Sequence, residues 1–181
     1  MAEALTSLPA PKRAAGGLSE QDPQLWWHAV IEVLQQLAEQ LQGYEIRALA
    51  VDGTSSTLLL TDLAGQPLTP ALMYDDSRSR ALLATLCQVT PAASPVHNAS
   101  SSLAKLLHLL DACAPLTPGC RTLHQADWIL GRLSGHFGLS DENNCLKLGY
   151  DAQARRWPDW LDALGDTLDD ADLAKVSDAL K

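Results

Sequence analysis

A chain of 181 residues in which 46% of the side chains are hydrophobic can bury the core of one ordinary domain, which excludes disorder as a description of the whole. Its formal net charge of -9, with no basic stripe, excludes a nucleic-acid partner, because phosphate affinity depends on clustered Lys and Arg. Apolar runs such as residues 57–60 and 106–110 fall far short of the roughly 20 residues that span a bilayer, and residues 1–17 lack the apolar stretch of a secretory signal, so a cytoplasmic protein with no membrane partner is expected.

Residues 1–18 hold Pro9, Pro11, Gly16 and Gly17 among small side chains and read as an irregular segment, with the domain itself expected over residues 19–181. Asp22 is a good helix N-cap and Pro23 suits a first turn. Leu25, Trp26, Ala29, Val30, Val33, Leu34, Leu37 and Leu41 then recur at helical spacing until Gly43. From Ile46 the period changes. Residues 46–51, 57–61 and 67–73 read as short strands, and a β-meander is their simplest arrangement. Helical patterns return at 79–87, 103–112, 123–133 and 158–164, with a last acidic helix near 170–180. Pro91, Pro95, Pro115 and Pro118 punctuate the connections. The fold class predicted is α/β, a short and mainly antiparallel sheet flanked by helices. Three strands leave an open edge that needs a partner strand or a cover, so further sequence is expected on the N-terminal side.

Cys87, Cys113, Cys120 and Cys145 form no Cys-x-x-Cys pair and have no His at zinc-ligand spacing. They read as reduced structural thiols, with a Cys113–Cys120 loop disulfide left open. His28, His97, His108 and His124 likewise have no partner spacing that argues for a metal.

Three polar stretches could carry chemistry. Val51-Asp52-Gly53-Thr54-Ser55-Ser56 follows a predicted strand and could present backbone N–H groups and hydroxyls to a polar ligand. A phosphatase of the Asp-x-Asp-Gly-Thr type would need Asp where Ala50 stands, and without that nucleophile its mechanism has no first step. An Asp-x-Gly-Thr phosphate loop would need Asp at Val51. A plain hairpin turn accounts for the same residues. Tyr74-Asp75-Asp76-Ser77-Arg78 lies between a strand and a helix, where a carboxylate can accept from sugar hydroxyls and an arginine can orient it; helix capping by Asp76 or Ser77 is the competing reading. The stretch from His136 through Ser140, Asp141, Asn143 and Asn144 reads as a solvated loop capped by Ser140.

Taken in order, these stretches resemble the N-terminal domain of the FGGY carbohydrate kinases, and the ribulose- and xylulose-kinase-like members in particular. The similar features are Glu20-Gln21-Asp22-Pro23 with Trp26-Trp27, residues 46–62, residues 74–78, and residues 102–110 with Lys105. Ala126-Asp127-Trp128 through Gly135, Ser140-Asp141, residues 144–151 and Trp157-Pro158-Asp159-Trp160 complete the series, which covers about residues 18–165. The resemblance implies an incomplete ribonuclease H-like, actin-like ATPase domain. It also implies that the chain is part of an ATP-dependent kinase of a ketose or polyol, D-ribulose or D-xylulose first. A sugar-binding or scaffolding module without catalysis is the alternative. Ser55 and Ser56 fall where xylulose kinases have Met-His beside the sugar. Asp76 and Arg78 match the aspartate and arginine of the family's aromatic-Asn-Asp-x-Arg motif, with Asp75 in place of Asn, and Asn143 and Asn144 would be secondary contacts. The resemblance assigns no catalytic, cofactor-binding or metal-binding residue to this chain. ATP and Mg²⁺ are expected to bind mainly outside it, on a C-terminal domain that, with an N-terminal hairpin, would be its partner in the same protein.

Overall fold

The computed structural model describes residues 1–112, 120–161 and 164. Five short strands form one antiparallel sheet: β1 (Lys12–Ala14), β2 (Leu18–Gln21), β3 (Leu58–Thr61), β4 (Ala71–Leu72) and β5 (Arg121–His124), in the order β1-β2-β4-β3-β5. Helices α1 (Pro23–Gln40), α2 (Leu83–Val89), α3 (Ser102–Ala112), α4 (Gln125–Ser134) and α5 (Glu142–Leu146) surround it. The expected class, a short antiparallel sheet flanked by helices, is what forms.

The interior strand β3, between β4 and β5, is buried on both faces, which is why it reads as an unbroken apolar run instead of an alternation. Leu58 and Leu60 point into a cluster with Leu86, Leu103, Leu106, Leu107 and Leu110. Leu59 points the opposite way, toward Trp26, Leu123, Trp128 and Ile129. Leu58, Leu59 and Leu60 are each 0% exposed, and burial of each contributes about 1.5–3 kcal/mol. On the second face Trp26 of α1 meets Trp128 of α4 edge to face at 6.1 Å, and the Arg132 guanidinium lies 4.4 Å from the Trp27 ring.

Local signals were decisive for α1 and α3. The Asp22 side chain accepts from the Gln24 N–H at 2.9 Å and Pro23 occupies the first turn, as expected. The strands depart further from the sequence reading. Residues 12–14, assigned to an irregular segment, form β1 against β2, with Lys12 opposite Glu20. Residues 46–51, expected as a strand, are irregular, with Ile46 63% and Leu49 51% exposed; no ladder partner reaches them among the described residues, and a strand without a partner leaves its backbone unpaired. The strand expected over 67–73 shrinks to Ala71–Leu72, because Pro67 and Pro70 have no N–H to give to a ladder. The helix expected from Leu123 starts at Gln125, since Leu123 and His124 are drawn into pairing with Leu59 and Leu58. The observed strand order replaces the expected meander of three consecutive strands.

The helix expected at 79–87 begins as a 3₁₀ turn over Arg78–Leu82 before α2. The loop expected over 136–144 gives way at its end to α5, and the cap is the Asp141 side chain, on the Asn144 N–H at 2.9 Å, instead of the expected Ser140. Trp160 and Leu161 are helical, as expected. The acidic helix near 170–180, and Cys113 of the Cys113–Cys120 pairing, fall outside the described residues. Among the described helices, none is long and apolar enough to cross a membrane.

Candidate functional site

Two loops leave the sheet at the same end. The first, residues 52–57, precedes β3. The Asp52 side chain accepts from the Gly53 N–H at 2.8 Å, the Gln125 side chain accepts from the Thr54 N–H at 2.8 Å, and the Thr57 N–H returns to the Thr54 carbonyl at 3.2 Å. Ser56 carries the left-handed φ of 65°, rare for a residue with a Cβ. The Ser55 hydroxyl is buried with no hydrogen-bond partner among the described residues, an orphan of the kind that a ligand could satisfy.

The second loop, residues 73–78, follows β4. Asp76 is 0% exposed. Its Oδ2 accepts from the Ser19 N–H at 2.7 Å and from Arg78 Nε at 2.9 Å, and its Oδ1 accepts from the Arg78 N–H at 3.2 Å. Arg78 continues to Glu20 at 3.1 Å, and Glu20 to Lys12 at 3.1 Å. Arg13 pairs with Asp75 at 2.5 Å. Burial pushes the Asp75 carboxyl up, but the Ser19 hydroxyl and the Arg13 guanidinium beside it outweigh burial and hold it below the usual value. The β1–β2 hairpin thus covers this loop. Its turn needs glycine: Gly17 has φ 86°, and a Cβ there would lie 2.2 Å from the Ser77 hydroxyl, while its carbonyl accepts from the Ser77 N–H at 2.9 Å.

Lys105 of α3 joins the two loops. Its ammonium donates to the carbonyls of Ser56 at 2.6 Å, Met73 at 2.7 Å and Tyr74 at 3.2 Å. Burial pulls its pKa down to about 8, against the pull of Asp76 and Asp75 in the other direction. The sequence reading placed Lys105 in the motif series without a role. The signal was present nonetheless, as one cation on a stripe made by Leu103, Ala104, Leu106 and Leu107.

Ser55, Ser56, Asp76 and Arg78 therefore gather around one end of the sheet, but on different terms. Arg78 keeps 22% of its side chain exposed, whereas Asp76 has its carboxylate enclosed by protein donors. The third polar stretch lies elsewhere. A pocket of about 390 Å³ is lined by Arg121, His124, Asp127, Ser140, Tyr150 and Trp157 among others, and by none of the four. Beneath it Asp127 Oδ2 accepts from the Ser140 hydroxyl at 2.8 Å and meets His124 Nδ1 at 3.2 Å, while His124 Nε2 meets the Ser102 hydroxyl at 2.8 Å. The sequence reading took His124 as isolated and missed its i, i+3 partner. Asn144 is buried and spent on Asp141, to which its side chain donates at 2.7 Å, and Asn143 is exposed.

The 52–57 loop has no free amide pair for a phosphate, because the Gly53 and Thr54 N–H groups are occupied by Asp52 and Gln125. Among the described residues no group of three or more His, Cys, Asp or Glu is placed to hold a metal ion.

The family model that matches this chain is the FGGY family of carbohydrate kinases, N-terminal domain, over residues 4–106. A xylulose kinase of Streptomyces rubiginosus is 37% identical over 71 residues, which are 39% of this chain and 14% of that protein. A glycerol kinase of Herminiimonas arsenicoxydans is 27% identical over 172 residues, covering 84% of this chain and 33% of that protein. The crystal structure of Plasmodium falciparum glycerol kinase with ADP superposes with a TM-score of 0.76 at 16% identity, over 93% of this chain and 35% of that one. The chain thus spans about a third, or less, of the length of the proteins it matches. The likeness fixes the fold as a partial actin-like ATPase domain.

Proposed function

Because the chain belongs to the FGGY family of carbohydrate kinases, we propose that it forms the sugar-binding part of a kinase acting on a small ketose or polyol, with D-xylulose or D-ribulose as first candidates. The observation that carries this reading is the meeting of the 52–57 and 73–78 loops at Lys105, which sets hydroxyls, a carboxylate and a guanidinium at one end of the sheet. Sugar hydroxyls both donate and accept, so this mixture suits them. The orphan Ser55 hydroxyl and the partly exposed Arg78 would bond the ligand directly. Asp76, enclosed as it is, would orient Arg78, and would reach a sugar oxygen only after the Gly17–Ser19 backbone moved off it. The xylulose kinase likeness supports a ketose, and the glycerol kinase likeness supports a shorter polyol at the same loops.

Kinases of this family use ATP, typically with Mg²⁺, which supply the transferable phosphoryl group and offset its charge. We assign those groups to a further kinase domain, since the amides here are already bonded. The same occupied amides favour a second reading, a sugar-binding or scaffolding module with no transfer chemistry of its own.

Titration calorimetry of the 181-residue chain with D-xylulose, D-ribulose and glycerol tests the proposal. Saturable binding of at least one, weakened at least tenfold in Arg78→Ala, is expected; no heat from any of the three would overturn it.

A further inference from the structure

Helix α3 carries a charge where its packing asks for none. Lys105 is one of eight buried residues of this helix and is 0% exposed. An unbranched apolar side chain would fill that space without the loss of ammonium hydration that burial imposes. The protons of the ammonium instead go to three backbone carbonyls, one from the turn before β3 and two from the start of the loop after β4. These carbonyls belong to segments 17 or more residues apart in the chain, and Ser56, at one of them, holds the strained left-handed conformation.

We propose that Lys105 is a positioning residue for the sugar site: its ammonium fixes the spacing between the Ser55–Ser56 turn and the 73–78 loop, so that the Ser55 hydroxyl and Arg78 face one ligand. The inference rests on the reading that these loops hold the sugar. The spacing depends on a full set of three donors. Once the amine is neutral it has two, and its lone pair confronts a carbonyl oxygen. The charged groups on elements packed around it are Asp75, Asp76, Arg78 and Arg80, with Arg13 and Glu20 behind the first three and His108 one turn on along α3; β3 and residues 54–57 bring none.

Site-resolved hydrogen exchange and ketose titration of the wild-type chain, of Lys105→Met and of Lys105→Arg, all at pH 7, test this. Lys105→Met is expected to lower protection of the amides of residues 54–57 and 74–78 at least tenfold, to leave Leu59 and Leu123 in the β3–β5 ladder protected, and to weaken ketose binding at least tenfold. Lys105→Arg, which keeps a cation with several N–H donors, should recover at least part of both. A Lys105→Met chain whose loops stay as protected as the wild type's overturns the proposal, as does a Lys105→Arg chain no better protected there than Lys105→Met. If Lys105→Met fails to fold, Lys105→Arg decides against wild type: loop protection kept within tenfold supports the clamp, and its loss with the β3–β5 ladder intact overturns it. Should the wild type bind no ketose, the sugar reading falls, and with it the ligand-facing purpose of the clamp, while the exchange data still decide whether Lys105 holds the loops.

Discussion

Replacing Asp76 by Asn tests the junction between the β1–β2 hairpin and the loop after β4. The carboxylate accepts three hydrogen bonds, from Ser19 N–H, Arg78 N–H and Arg78 Nε, with no exposed surface. An Asn amide keeps one acceptor oxygen, enough for Ser19, but turns an NH₂ toward the donors of Arg78. Losing one charge-assisted hydrogen bond costs about 1.5–3 kcal/mol. The lower half of that range is expected, because Arg78 can swing part of its guanidinium into water. At about 2–4 °C per kcal/mol for a chain of this size, the melting temperature should drop by about 3–9 °C. Asp76→Ala orphans the Ser19 amide as well and should cost about 3–5 kcal/mol, the range for removing one partner of a buried pair. Removal of the negative charge also takes away the larger of the two attractions that hold up the Lys105 pKa, which should then fall below about 8. Urea unfolding followed by tryptophan fluorescence, with Trp26 buried nearby, measures the first effect. An Asp76→Asn chain within about 0.5 kcal/mol of wild type, the scatter of a neutral surface change, would refute the enclosed bridge and return Asp76 to the surface, where only helix capping or sugar contact would remain for it.

Lys105 gives a stability signature of definite sign. Its folded pKa, about 8, lies below the ordinary 10.5, so the unfolded chain binds more protons between those values and stability rises with pH across that window. The difference in unfolding free energy between wild type and Lys105→Met should therefore shift in favour of wild type from pH 8 to 10, by at most about 3 kcal/mol. A constant difference would show that the ammonium is hydrated. Gly17→Ala forces a Cβ into a left-handed backbone and against the Ser77 hydroxyl, which should cost about 1–3 kcal/mol and raise proteolytic cleavage at the hairpin; an unchanged melt would show that the turn does not sit on Ser77. The 181-residue chain alone should give no sugar-dependent ADP formation, because positioning and charge stabilisation of the phosphoryl group supply most of the rate in such transfers. Measurable turnover with D-xylulose would place the nucleotide site within this chain.

Helices and family were legible in the sequence because their determinants are local or ordered along the chain. The Asp22 cap acts two residues away, on Gln24, and the apolar stripe of α3 follows from the helical repeat, so both can be read within a few turns. The motif series from Glu20 through Trp160 identified the FGGY N-terminal domain by order alone. Pairing is different, because a strand exists only if another segment reaches it. Residues 46–51 have the pattern of a strand and no ladder partner among the described residues, residues 12–14 have a poor pattern and β2 beside them, and Leu123 exchanged a helical period for a place opposite Leu59. The site divides along the same line. Residue types picked out Ser55, Ser56, Asp76 and Arg78 as candidates, but the burial of Asp76 beneath Ser19, 57 residues earlier, and the reach of Lys105 to Ser56, 49 residues away, are contacts that only the folded chain creates. Periodicity reports which face of a segment is apolar, whereas the partner of a buried charge is set by which distant carbonyls and carboxylates the packed sheet brings within 3 Å or so of it.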